Sequence, residues 1–173
     1  MGQIHFLFAI HNHQPVGNFE WVFKDAMDQC YEPFLDVLSH HPRIKIGLHH
    51  TGPLFEWIEK HRPKYLSKIK SLYDRGQVEL LGGAFYEPLI STLFERDAIG
   101  QIRMMSDYLE TTFGVRPRGM WLAERVWEPQ LASIVHEAGL EFTLLDDTHF
   151  YYAGLKDRDM FGYYITEDKG KTL

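Results

Sequence analysis

One stretch of the chain, WLAERVWEP from Trp121 to Pro129, carries the residue types that a hydrolytic site needs. Glu124 follows a short apolar run, and aromatic side chains lie on both sides of it. Such a carboxylate can serve as a nucleophile or an acid–base group. Cleavage of a glycosidic bond uses two carboxylates, about 5 Å apart for retention and about 6.5–9.5 Å apart for inversion. Glu124 can equally be a helix-start glutamate favoured by the helix dipole, and the spacing does not decide between the two. Trp121 can be a sugar platform or belong to the core, the commoner place for a lone tryptophan.

Two histidines alternate at the end of the first apolar run, Ile4–Ile10. Because side chains alternate along a strand, His11 and His13 are predicted to share one side of the sheet. They can ligate a metal, bind substrate hydroxyls or be structural histidines, and the pattern leaves all three interpretations open.

Other polar residues lie in or after later strand-like runs. Glu79 interrupts an apolar run, where a buried carboxylate would need a partner; it is either a site residue or part of a structural pair. Two pairs of adjacent polar residues, His49-His50 and Asp146-Asp147, also follow apolar runs. The two histidines either face the site or brace a loop. One of the two aspartates is predicted to be a helix cap or a loop anchor.

The elements that must position these residues form an alternating pattern of strands and helices. We predict five strands, at 4–10, 44–48, 78–81, 119–122 and 142–145, with helices between them. This alternation predicts a parallel sheet with right-handed crossovers. Working residues then lie at the carboxyl ends of the strands, where the polar residues cluster.

Composition narrows the class of protein. The 173 residues suffice for one domain, and we predict no internal boundary. A net charge of -6 without a basic run makes nucleic acid and anionic membranes poor partners.

Cys30 is the only cysteine, so we expect a reducing compartment, the cytoplasm. The amino terminus reads as a strand rather than a signal peptide. Aromatic residues make up 14% of the chain, which suits a carbohydrate site.

Three motifs together resemble glycoside hydrolase family 57. They are HNHQP from His11 to Pro15, GQVELLGGAFYEP from Gly76 to Pro88, and WLAERVWEP from Trp121 to Pro129, and their order and spacing also look like those of the family. The resemblance implies an incomplete, seven-stranded parallel (β/α) barrel, of which residues 1–173 would supply about the first five β/α units. It further implies a retaining mechanism on α-glucans, with neither a metal nor an organic cofactor.

The resemblance also implies roles for individual residues. By match to the motifs, Glu124 would be the nucleophile and His13 would lie close to it and to the sugar. His11 and Glu79 would bind the sugar, Gln14 of the first motif would contribute to substrate binding, and Trp121 would stack on the substrate. The forms of these motifs look most like those of 4-α-glucanotransferases and α-amylases.

One catalytic group is absent from the matched motifs. The family's general acid is an aspartate in a fourth region, further along than this sequence reaches. We therefore expect the chain to be the N-terminal part of the barrel and, alone, to be inactive or nearly so, because acid–base assistance contributes about 10²–10⁴-fold. An open barrel edge is also expected to favour pairing with a second copy.

Two other functions remain open on the sequence alone. The first is a metal-dependent amidohydrolase or deacetylase in which His11 and His13 ligate the ion. The second is a glycan-binding module without catalysis.

Overall fold

The computed structural model describes residues 5–173, which form two compact units that divide between Leu81 and Gly82. None of the helices within this part of the chain is long and apolar enough to cross a membrane.

The first unit is built on a three-stranded parallel sheet. Its strands are β1 (Ala9–Asn12), β2 (Ile46–His50) and β3 (Val78–Leu80), paired in the order β1-β2-β3. Strand β1 begins and ends later than the strand predicted at 4–10, so His11 lies within it. Ile4 is outside the described residues.

Four helices connect these strands. They are α1 (Glu20–Ala26), which continues through a π-helical turn (Met27–Tyr31) into α2 (Glu32–His40), followed by α3 (Gly52–His61) and α4 (Pro63–Asp74). Arg62 separates α3 from α4, because a residue that precedes proline avoids the helical region, and its φ and ψ are -142° and 49°. The core lies between the helices and one face of the sheet, with Leu35, Leu54, Ile58, Ile69, Leu72, Leu48 and Leu80 almost fully buried.

The second unit carries a shorter parallel pair of strands. Strands β4 (Gly119–Met120) and β5 (Phe142–Thr143) pair directly, and Gly82 forms a parallel bridge with Met120. The helices are α5 (Glu95–Phe113), α6 (Leu131–Glu137) and α7 (Asp147–Tyr152). Gly114 ends α5 in the left-handed conformation, with φ 69°, as its position in the sequence predicts.

A short hairpin closes the described chain. Strands β6 (Glu167–Asp168) and β7 (Lys171–Thr172) are antiparallel and lie against α6, where the Ser133 hydroxyl donates to Asp168 at 2.5 Å. The sequence did not predict this hairpin. All five predicted strands are present, although the fourth and fifth are only two residues long.

Candidate active site

The two histidines that end β2 point to opposite faces of the first sheet. His11 is in register with His49, and Asn12 is in register with His50. Because registered residues of parallel strands point to the same side, His11 and His49 share one face. His50 lies on the other face, beneath α3 and α4, where its ring stacks on Phe55 at 4.9 Å.

On the first face, His11 and His49 form a direct hydrogen bond. Their Nδ1 atoms are 2.8 Å apart, so one imidazole donates and the other accepts, which links the tautomers of the two rings. His49 is buried, and burial lowers its pKa well below the usual value; the neighbouring imidazoles, His11 first, lower it further. His49 is therefore neutral at pH 7. In contrast to the buried His49, His11 is half-buried and His13 is exposed. The rings of His11 and His13 are 5.7 Å apart.

Glu79 lies on the same face as His11 and His49. It is in register with Gly47, which is in register with Ala9, two residues before His11. Glu79 is exposed between two buried neighbours in β3, so it does not belong to a buried structural pair. The physical reason is that, within residues 5–173, the helices pack against the opposite face of this strand, where Val78 and Leu80 are buried. This face therefore carries His11 and Glu79, and the ring of His13 lies beside that of His11.

The loop after β1 is fixed by a buried hydrogen-bond network centred on Gln14. Thr51 accepts from the Gln14 backbone N–H at 3.2 Å and donates to its carbonyl oxygen at 3.1 Å. The Tyr31 hydroxyl accepts from Gln14 Nε2 and donates to the carbonyl of His13, both at 3.2 Å. Burial raises the pKa of Tyr31, which keeps this hydroxyl protonated. Asn18 Nδ2 donates to Gln14 Oε1 at 2.7 Å, so the Gln14 side chain bonds within the protein.

A second buried network lies on the helix-covered face. Nε2 of His50 is 3.0 Å from Asn12 Nδ2 and 2.9 Å from the Tyr65 hydroxyl, so this ring nitrogen is hydrogen-bonded to its neighbours on β1 and α4. Burial, with a smaller effect of His11, lowers the pKa of His50 to about 3. Burial also raises the pKa of Tyr65. This network therefore contains neutral groups that join β1, β2 and α4.

In the second unit, the chain leaves β4 through Trp121 and enters a single 3₁₀ turn, Ala123–Arg125. Glu124 has φ 50° and ψ 11°, and Arg125 has φ 51°. Two consecutive residues with side chains in the left-handed region cost about 1–2 kcal/mol each. Strain of this kind is concentrated at functional sites, and the carboxylate it presents here is exposed. Neither a glycine nor an asparagine marks this turn in the sequence.

Arg125 connects the turn to its surroundings. Its guanidinium carbon lies 5.3 Å from the centre of the half-buried Trp121 ring, and its Nε donates to Asp146 at 3.2 Å. Asp146 precedes α7 without capping it through its side chain, so it is a loop anchor. His149 Nε2 donates to the Arg125 carbonyl oxygen at 2.8 Å. Neither Arg125 nor Tyr31 carries a local sequence signal for its role, because the partners of both are distant in sequence.

The chain is similar to known proteins over nearly its whole length. The family model for glycosyl hydrolase family 57 matches residues 7–173. An α-amylase from Pyrococcus furiosus is 44% identical over 171 residues, which are 99% of this chain and 26% of that protein. A 4-α-glucanotransferase from Thermococcus litoralis is 44% identical over 100% of this chain and 26% of its own length. Its crystal structure superposes with a TM-score of 0.96 over 99% of this chain and 27% of that structure. The chain thus spans about a quarter of the length of these relatives.

Proposed function

This chain belongs to glycosyl hydrolase family 57, and on that basis we propose that it forms part of a retaining enzyme acting on α-glucans, a 4-α-glucanotransferase or an α-amylase. The observation that carries the proposal is the exposed carboxylate of Glu124 on a strained turn directly after β4. A catalytic carboxylate needs this accessibility and a fixed backbone, whereas a helix-start glutamate needs neither.

In the proposed reaction, Glu124 is the nucleophile. Its carboxylate oxygen attacks the anomeric carbon as the glycosidic carbon–oxygen bond breaks, and the leaving oxygen takes a proton from a second carboxylic acid. Water then hydrolyses the glycosyl-enzyme, or the hydroxyl of another glucan accepts the sugar. The acid corresponds to the aspartate of the family's fourth region. Asp146 is not assigned to this role, because its carboxylate binds Arg125.

The residues on the first face of the sheet are proposed to bind the sugar. His11, His13 and Glu79 present one half-buried and two exposed polar side chains there, which suits hydrogen bonding to hydroxyl groups. Gln14 is proposed to act indirectly, since its buried amide bonds to Tyr31 and Asn18 and holds the loop that carries His13. Trp121 is proposed to contact substrate with the part of its ring that remains exposed.

The finer features of the fold and setting are also proposals. We assign the described strands to the first five β/α units of an incomplete seven-stranded barrel within one domain. We place the protein in the cytoplasm, since a single cysteine suits a reducing compartment. We also propose that the open edge of the barrel pairs with a second copy of this chain.

Replacement of the proposed nucleophile tests this function. In the protein that carries this chain, Glu124→Gln should lower kcat on maltoheptaose by about 10³-fold or more, because the amide cannot form the glycosyl ester. Glu137→Gln, on the exposed surface of α6, is the matched control and should keep ordinary turnover. A fluorinated glucosyl fluoride that forms a slowly hydrolysed glycosyl-enzyme should label Glu124, as read by peptide mass spectrometry. Ordinary turnover by Glu124→Gln, or label on another carboxylate, would refute the assignment.

A further inference from the structure

The turn that presents Glu124 needs an external restraint. Glu124 and Arg125 both occupy the left-handed region, and each gains free energy if it relaxes to negative φ. Such a relaxation would redirect the Glu124 side chain. Within the turn, the hydrogen bonds Arg125 N to Leu122 O and Val126 N to Ala123 O, at 2.9 and 3.2 Å, are short-range and give limited resistance.

The restraint comes from residues at the start of α7. The Asp146 carboxylate accepts a hydrogen bond from Arg125 Nε at 3.2 Å, and His149 Nε2 donates to the Arg125 carbonyl oxygen at 2.8 Å. Arg125 is thus held at its side chain and at its backbone. Its guanidinium also lies over the Trp121 ring, which fixes it against the residue that leads into the turn.

We propose that Arg125, Asp146 and His149 are positioning residues that hold the strained turn and thereby fix the direction of the Glu124 carboxylate. This inference rests on the proposed function, in which Glu124 is the nucleophile. Attack on an anomeric carbon requires a near-attack distance of about 3–3.5 Å, and a misplacement of about 1 Å can cost on the order of 10²-fold in rate.

The exposure of the Arg125–Asp146 pair separates this role from simple stabilisation. The side chains are 29% and 51% exposed, respectively. Ion pairs as exposed as this contribute little to the free energy of unfolding, typically below about 1 kcal/mol. Loss of the pair should therefore change catalysis far more than it changes stability.

The experiment compares two adjacent aspartates in the protein that carries this chain. Asp146→Asn should lower kcat on maltoheptaose by about 10- to 100-fold, with KM changed by less than about threefold, because only the reacting carboxylate is displaced. Asp147→Asn is the matched control and should leave kcat unchanged; Asp147 is exposed in the first turn of α7. Asp146→Glu, which keeps the carboxylate, should retain more of the wild-type kcat than Asp146→Asn does. Arg125→Lys should lose kcat as Asp146→Asn does, since lysine lacks the planar guanidinium that stacks on the indole while donating to the carboxylate.

Two results would overturn the inference. They are a normal kcat in Asp146→Asn, with or without a rise in KM, and an equal loss of kcat in Asp147→Asn. If Asp146→Asn unfolds, Arg125→Lys and Asp146→Glu supply the same comparison in milder form. The Glu124→Gln variant, measured alongside, separates the two ideas. An inactive Glu124→Gln with a normal Asp146→Asn refutes the positioning role alone, whereas an active Glu124→Gln refutes the proposed function.

Discussion

The buried imidazole of His50 should make the first unit sensitive to mild acid. Burial, with a smaller effect of His11, lowers its pKa in the folded state to about 3, whereas an unfolded chain has a histidine pKa of about 6.5. Between these two values the unfolded state binds the proton and the folded state does not. The free energy of unfolding therefore decreases as the pH falls below about 6.5, and the loss continues until about pH 3.

The size of this effect follows from the width of the pH interval. Each pH unit below the unfolded pKa costs about 1.4 kcal/mol, so lowering the pH from 7.5 to 5.0 removes about 2 kcal/mol through His50 alone. This figure depends on the unfolded pKa and hardly on the folded one, provided that the latter stays well below pH 5. His49 adds a loss of the same sign, because burial lowers its pKa as well.

The assay is urea-induced unfolding at pH 7.5 and 5.0 for the wild type and for His50→Gln. The variant will be less stable at both values, because the bonds to Asn12 and Tyr65 are altered, but the informative quantity is the difference between the two pH values. That difference should shrink by about 2 kcal/mol. His41→Gln is the control, since the His41 ring is exposed, and it should show the wild-type difference. An identical pH difference in His50→Gln and the wild type would refute the argument.

Two further predictions concern the elements that carry the site. Tyr31→Phe removes the hydroxyl between Gln14 and His13; it should cost about 1–2 kcal/mol in urea unfolding and raise KM for maltoheptaose, whereas Tyr73→Phe should not raise KM. A wild-type KM in Tyr31→Phe would contradict the loop-holding role. Gly119→Ala places a methyl group inside the van der Waals envelope of the Phe142 ring, so it should lower the free energy of unfolding by about 1–3 kcal/mol. Combination with Phe142→Ala should reduce that loss, and strictly additive losses would argue against the clash.

The parallel strands were predictable because each has a local signature. Short apolar runs between helical patterns indicated five strands, and all five occur, together with the glycine that ends α5. Alternation along a strand also predicts that His49 and His50 point to opposite faces. It cannot say which of them joins His11, because that depends on the register between β1 and β2, a property of two distant segments.

The features that were not predictable depend on long-range contacts. The apolar neighbours of Glu79 suggested burial on both faces of β3, yet the described helices cover only one. The strained turn at Glu124 contains no residue that favours positive φ, and it is stabilised from Asp146 and His149, more than 20 positions away. A sequence motif therefore marks the carboxylate, whereas its orientation is set by residues outside the motif.

The register of β2 links stability to the proposed chemistry. A slip of one residue would exchange the faces of the whole strand, because side chains alternate with a period of two. His50 would then leave its bonds to Asn12 and Tyr65, and His49 would lose its bond to His11. Leu48, which is almost fully buried, would also move to the open face, so the correct register is favoured by apolar burial as well. The same packing energy that fixes the core thus sets which imidazole faces the proposed sugar site.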